Sequence, residues 1–170
     1  MATFFTAFQK ALGATERLHE LLAMPVEQQN GQKLVSRDQD IQFEQVIFKY
    51  GEDPVLKNFS LVIPKGKTTA LVGASGGGKT TVFSVLERFY DLADGAILFG
   101  EQRIGDIKLD AWRSLFGYVS QESPIMSGSV RDNVTYGLEN VSDERVIEAL
   151  EQANAWSFVQ EFQNGLDEQV

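Results

Sequence analysis

The chain of 170 residues is long enough for one ordinary domain, and 43% apolar with 11% aromatic side chains is enough to build a core, which excludes a disordered chain. No apolar run approaches the roughly 18 residues of a membrane span, and Met1 to Phe8 has neither the basic flank nor the apolar length of a secretory signal. A net charge of −9 argues against nucleic acid as a partner, and the absence of cysteine excludes disulfides and thiolate metal sites. The charge is uneven: residues 1–80 carry 9 basic and 8 acidic side chains, residues 81–170 carry 6 and 16. A polyanion is therefore expected to meet the first half.

In chain order, Phe4, Phe5, Phe8, Leu12, Leu18, Leu21 and Leu22 recur mostly at spacings of three and four. That period predicts an amphipathic helix, ended by Pro25. Residues 25–40 are polar, without a periodic apolar face, and read as a linker. Ile41, Phe43, Val46, Phe48 and Tyr50 alternate with polar residues, as do Phe59, Leu61 and Ile63 beyond the turn signal Gly51-Glu52-Asp53-Pro54. Two antiparallel strands are expected there. After a second turn at Pro64-Lys65-Gly66-Lys67 come a short apolar strand, Thr68 to Val72, a glycine-rich loop at 73–78, and a helix whose stripe is Val82, Val85, Leu86 and Phe89. Further on, Ala96 to Phe99 reads as a strand, Ala111 to Leu115 as a helical turn and Phe116 to Ser120 as a buried strand. Helices are expected between Asp143 and Phe162, with Ser142-Asp143-Glu144 as a capping region.

Gly73-Ala74-Ser75-Gly76-Gly77-Gly78-Lys79-Thr80 fits the phosphate-loop pattern G-x-x-x-x-G-K-[ST] without a mismatch, between a predicted strand and a predicted helix. Glycines let the backbone curl so that N–H groups point at a phosphate, and the following helix adds the positive end of its dipole. Lys79 supplies a mobile charge for the β- and γ-phosphates, and the Thr80 hydroxyl is the natural Mg²⁺ ligand. The candidate phosphate-binding set is Gly73, Ser75, Gly76, Gly77, Gly78, Lys79, Thr80 and Thr81. A phosphate loop alone leaves kinases, GTPases and several ATPase classes open.

The flanking segments narrow the choice. Phe48-Lys49-Tyr50-Gly51 precedes the loop, and Trp112-Arg113-x-x-Phe116-Gly117-Tyr118-Val119-Ser120-Gln121-Glu122-Ser123-Pro124 follows it, then Ser127-Gly128-Ser129-Val130-Arg131-Asp132-Asn133-Val134. From about Ile41 to the end, this resembles the nucleotide-binding domain of ATP-binding cassette (ABC) transporters of the exporter type, as in bacterial multidrug half-transporters. The resemblance implies an α/β fold, a partial P-loop NTPase core with an antiparallel β subdomain, preceded by an amphipathic helix and linker. It implies ATP and Mg²⁺ as cofactors, Tyr50 as the aromatic stacking on adenine, and Gln121 as the loop glutamine that reaches Mg²⁺ and the attacking water. Gln121 and Lys79 are then the catalytic candidates, and Thr80 and Gln121 the metal ligands. Residues 1–24 would resemble the cytoplasmic end of the last transmembrane helix, 25–40 the linker and 41–170 the N-terminal part of the ATP-binding domain. A second nucleotide-binding domain in a head-to-tail dimer and a transmembrane domain are the implied partners, at the cytoplasmic face of the plasma membrane. One departure is Phe99-Gly100, where such domains commonly show Asp-Gly in a hairpin.

Read from residues alone, Tyr50 has the alternative of a strand-end aromatic covering an apolar edge and Gln121 that of an ordinary loop residue, which the Tyr-Val-Ser-Gln-Glu context makes the lesser reading. His19 reads as a helix-surface residue. No Leu-Ser-Gly-Gly-Gln signature occurs, and Asp143-Glu144 and Asp167-Glu168 do not end apolar strands. The sole histidine, His19, precedes the loop. The expectation is an N-terminal portion of a cassette domain that binds ATP without hydrolysing it, inside a parent that couples hydrolysis to export of an apolar, drug-like compound. The alternatives are a non-hydrolysing regulatory module and another P-loop NTPase. Against a GTPase, there is no Asn-Lys-x-Asp motif.

Overall fold

The computed structural model describes residues 15, 17–24, 26–27 and 29–170. The amphipathic helix expected from Phe4 to Leu22 lies largely outside them, as does Pro25. Residues 17–22 are helical, the Ala23 N–H donates to the His19 carbonyl at 2.9 Å, and Leu18, Leu21 and Leu22 are exposed. The chain divides into two compact units, Met1–Gly117 and Tyr118–Val170.

In the first unit, strands β1 (Ile41–Tyr50), β2 (Asp53–Ile63), β3 (Asp94–Phe99) and β4 (Gln102–Arg103) form an antiparallel sheet in the order β2-β1-β3-β4. A β-bulge interrupts the alternation of β1 at Glu44-Gln45, where Gln45 takes φ +46 and the register shifts, and this brings Phe43, Val46 and Phe48 to one buried face. Pro54 is accommodated because β2 lies at the sheet edge, where a missing N–H breaks no ladder on the open side. The β3–β4 connection is the two-residue turn Gly100-Glu101, with Gly100 at φ +60, so Phe99-Gly100 does form a hairpin. Helix α1 (Lys79–Leu86) lays Val82, Val85 and Leu86 on the sheet with Leu56, Ile97 and Phe99. A 3₁₀ turn (Ile104–Asp106) and helix α2 (Leu109–Arg113) close this core, and Trp112 is fully buried in it. Residues ahead of β1 are joined to the same body: the Gln32 N–H donates to the Asp106 carbonyl, and the Lys108 N–H to that of Gln32.

Two expected strands are absent. Thr68 to Val72 and Phe116 to Ser120 have strand-like composition but no strand ladder partner among the described residues, and Val72 and Val119 are 89% and 92% exposed. Apolar, β-branched composition favours a strand only where a ladder partner exists. The helix predicted through Phe89 ends at Leu86, because Arg88 takes φ +60 and turns the chain.

The second unit holds α3 (Val130–Val134), α4 (Asp143–Gln152), α5 (Trp156–Val159) and a 3₁₀ turn (Gly165–Asp167) around Val130, Val146, Leu150, Val159 and Leu166. A capping box starts α3: the Asp132 N–H donates to Ser129 Oγ at 3.0 Å and the Ser129 N–H to Asp132 Oδ2 at 2.8 Å. The Ser129 N–H and the Ser129 hydroxyl, each donating to Asp132 Oδ2 at 2.8 Å, hold the Asp132 carboxyl below the usual carboxylate range. Arg131 pairs with Asp143 at 2.6 Å and Asp167 at 3.3 Å, joining α3, α4 and the final turn.

Candidate nucleotide site

Residues 73–78 run into α1 with Gly76 at φ +76 and Gly78 at φ +79, both in the region that L side chains avoid. Gly78 has a second constraint. A Cβ there would lie 3.3 Å from Leu56 Cδ2 and 3.4 Å from Val55 Cγ1, whereas a Cβ on Gly76 would meet nothing within 4 Å. The loop is braced by the Gly77 N–H to the Ala74 carbonyl, at 3.2 Å. Lys79 Nζ donates back to the carbonyls of Gly73 (2.9 Å) and Ala74 (2.7 Å), spanning the loop from within.

Gly78 is the N-cap of α1. No side chain caps this end and no acidic residue lies in the first turn, so the N–H groups of Lys79, Thr80 and Thr81 and the positive end of the dipole are met by no carboxylate of α1. Ser75 and Thr80 are exposed; Thr81 is buried, which leaves its backbone N–H as its contribution at the loop. A cavity of about 190 Å³ lies between β2 and the loop, with Val55, Val72, Gly77 and Lys79 among its walls. A larger one, about 460 Å³, between residues 32–39 and the β3–β4 hairpin, includes no loop residue and has no chemistry comparable to the phosphate loop. Glycine curl, an uncapped helix start, a lysine and an exposed hydroxyl together form an anion cradle that fits a phosphate chain and a hard cation.

Tyr50 ends β1 and is 49% exposed. Its ring stands perpendicular to Phe48 (4.7 Å between centroids) and to Tyr90 (5.2 Å), edge-to-face arrangements that hold it in place. It thus covers an apolar edge and presents ring surface to solvent at once. Gln121 belongs to the second unit, exposed, in a bend where Ser123 donates its N–H to Ser120 Oγ and its hydroxyl to the Ser120 carbonyl, each at 3.0 Å. Asn133 of α3 ties the next stretch by accepting from the Met126 N–H at 2.8 Å and donating to the Met126 carbonyl at 2.9 Å.

The ABC transporter family model matches residues 56–167. The chain belongs to the ABC transporter family. It is 42% identical, over its whole length, to a multidrug resistance ABC transporter ATP-binding and permease protein of Lactococcus lactis subsp. cremoris, covering 29% of that protein. It is 40% identical over 98% of its length to ABC transporter B family member 1 of Dictyostelium discoideum, covering 19%. An ATP-dependent lipid A-core flippase of Idiomarina loihiensis is 38% identical over 96% of the chain, which covers 29% of the flippase. The solved structure of a bacterial Atm1-family ABC exporter with ATP bound superposes with a TM-score of 0.85 at 28% identity, over 98% of this chain and 30% of the exporter. The chain therefore spans less than a third of each of these relatives. Membership of the ABC family implies ATP binding, and the fold is the nucleotide-binding fold of ABC transporters, with its antiparallel sheet. Among the described residues no helix is long and apolar enough to cross a membrane.

The sequence motifs did not assign the groups at the far end of α1. Trp112 Nε1 donates to the Leu86 carbonyl at 2.7 Å, and Arg113 Nε and Nη2 donate to those of Glu87 and Arg88 at 3.0 and 3.1 Å. Both residues stand in the segment that carried the ABC resemblance, but their partners lie about 25 residues away and no local spacing reveals them.

Proposed function

We propose that this chain is the ATP-binding part of an ABC exporter that couples ATP hydrolysis to the export of an apolar compound. The observation that carries this is the uncapped, acid-free start of α1 behind the Gly76 and Gly78 curl, next to Lys79. Lys79 would exchange its Gly73 and Ala74 carbonyls for the β- and γ-phosphates, while the N–H groups of Gly76 and of residues 78–81 would bind phosphate oxygens, Gly77 would keep its brace to Ala74 and Ser75 would border them. Thr80 and Gln121 would hold Mg²⁺, which supplies positive charge against the phosphates. Tyr50, held by Phe48 and Tyr90, would stack on adenine, and Gln121 would position the attacking water. In this reading residues 1–24 lead in from a transmembrane domain, 25–40 connect, and 41–170 begin the nucleotide-binding domain at the cytoplasmic membrane face. The names of the Lactococcus and Idiomarina relatives, a multidrug permease and a lipid flippase, support an apolar cargo.

Residues 1–170 contain no signature motif and no strand-borne Asp-Glu pair, so they are proposed to bind ATP without turning it over. Hydrolysis then needs a second nucleotide-binding domain, head to tail, and a general base these residues do not supply. The test is titration of a fluorescent ATP analogue with Mg²⁺ into the chain and its Lys79→Ala variant. Loss of a charge-assisted contact, about 1.5–3 kcal/mol, weakens binding about 10- to 150-fold. Equal binding by the two would overturn the reading. GTP should bind within about tenfold of ATP, since stacking on Tyr50 reads a π-face and no hydrogen-bond pattern.

A further inference from the structure

Arg113, the last residue of α2, makes four guanidinium hydrogen bonds to two distant segments. Nε and Nη2 donate to the Glu87 and Arg88 carbonyls at the end of α1, and Nη1 and Nη2 donate to Glu27 Oε2 and Oε1 at 2.8 and 2.7 Å. Its carbon centre also sits 4.7 Å from the centroid of the Phe89 ring. A planar five-donor fork can do all of this at once, and a lysine cannot. The positive charge lies where the α1 dipole is negative, and beside it Trp112 Nε1 takes the Leu86 carbonyl. Arg88 completes the hold by donating to the Ile104 and Ile107 carbonyls at 2.9 and 2.6 Å. Helix α1 has eight residues, about 12 Å, and its opposite end is the phosphate loop.

Resting on the ATP-site reading above, we propose that Arg113 is a positioning residue for the phosphate loop, acting through the C-terminal end of α1, and that Glu27 fastens the chain ahead of the domain to the same point. The bidentate Glu27–Arg113 pair is then a link through which nucleotide occupancy is felt by residues 17–27. The bistable element is the loop with its lysine, which either spans its own carbonyls at Gly73 and Ala74 or reaches a phosphate. An eight-residue helix held at both ends passes the change along its axis. The pair is partly exposed, with side chains 28% and 55% accessible, so removing it alone should change nucleotide affinity by less than about fivefold. Its mark is in the relay.

The test is hydrogen–deuterium exchange on the full chain with and without Mg-ATP, for the unaltered protein, Glu27→Gln and Arg113→Lys, with affinities measured in parallel. In the unaltered protein, ATP should slow exchange several-fold in the peptides covering residues 79–90 and 17–27. Glu27→Gln should keep the first response and lose the second, at near-normal affinity. Arg113→Lys, with its circular dichroism unchanged, should bind ATP on the order of tenfold more weakly, because one ammonium cannot serve two carbonyls and a carboxylate. The proposal is overturned if residues 17–27 of the unaltered protein do not respond, if Glu27→Gln responds in full, or if Arg113→Lys binds normally. Loss of Lys79-dependent binding itself would instead remove the ATP-site reading, and this inference with it.

Discussion

Gly76 and Gly78 share a backbone conformation and differ in surroundings, so alanine at each separates two costs. At φ +76 and +79, a Cβ costs about 1–2 kcal/mol in the folded state, offset by about 0.4–1 kcal/mol because alanine also restricts the unfolded chain. Gly76→Ala should therefore destabilise by no more than about 1.6 kcal/mol, since nothing lies within 4 Å of its new methyl. Gly78→Ala pays the same and also presses on Leu56 Cδ2 at 3.3 Å and Val55 Cγ1 at 3.4 Å, with Leu56 buried in the core. Overpacking there adds about 1 kcal/mol, the low end of the usual range because only side-chain tips must move. Urea midpoints at equal m-values measure the difference. Nucleotide affinity should rank the two by another rule: the Gly76 methyl enters the open space where a phosphate would sit, so its loss of binding should exceed its loss of stability. If Gly78→Ala proved no less stable than Gly76→Ala, the assignment of Gly78 as a position closed by β2 would be wrong.

Trp112→Phe should cost about 1–3 kcal/mol for the Leu86 carbonyl left without its indole donor, plus the volume lost in a fully buried site, as a lower urea midpoint of the first unit. Acidification should destabilise the second unit. Asp132 is held below its ordinary pKa by its bonds from Ser129, and Asp143 by Arg131, so the stability they give is present above the unfolded carboxylate value, about 4, and is lost as pH falls through the lowered folded values. Asp132→Asn should flatten the fall in Tm between neutral and acid pH; an unchanged slope would show that the α3 cap does not carry it.

The elements legible in the sequence are those whose pattern and partners are close together. β1 and β2 show apolar-polar alternation and are joined by a two-residue turn, which identifies both strands, while the bulge at Gln45 that brings Phe43 and Val46 to one buried face is not marked in the sequence. The phosphate-loop motif is equally local: its glycines, lysine and hydroxyls lie within nine positions, and glycine at positive φ has a stereochemical cause. Thr68 to Val72 and Phe116 to Ser120 misled because their composition states a preference that only a neighbouring strand can satisfy. The end of α1 misled for a related reason. Its Phe89 N–H to Ser84 and Arg88 N–H to Val85 bonds make a Schellman ending, and such an ending usually marks itself with glycine. Here the left-handed residue is Arg88, whose guanidinium is engaged by the Ile104 and Ile107 carbonyls far along the chain.

This division between near and far determines how the site works. A helix of eight residues is well below the roughly 12–15 at which isolated helices become even marginal in water, so the motif at Gly73 to Thr80 cannot by itself maintain the N–H array it offers to phosphate. Two non-local terms maintain it. Val82, Val85 and Leu86 are buried against the sheet, and the three carbonyls of residues 86–88 are met by Trp112 and Arg113. Weakening either should loosen the loop without altering a residue of it. A phosphate loop recognised from its glycines and lysine thus names the groups offered to phosphate, while the order of the helix that presents them rests also on its opposite end, on side chains that the motif does not contain.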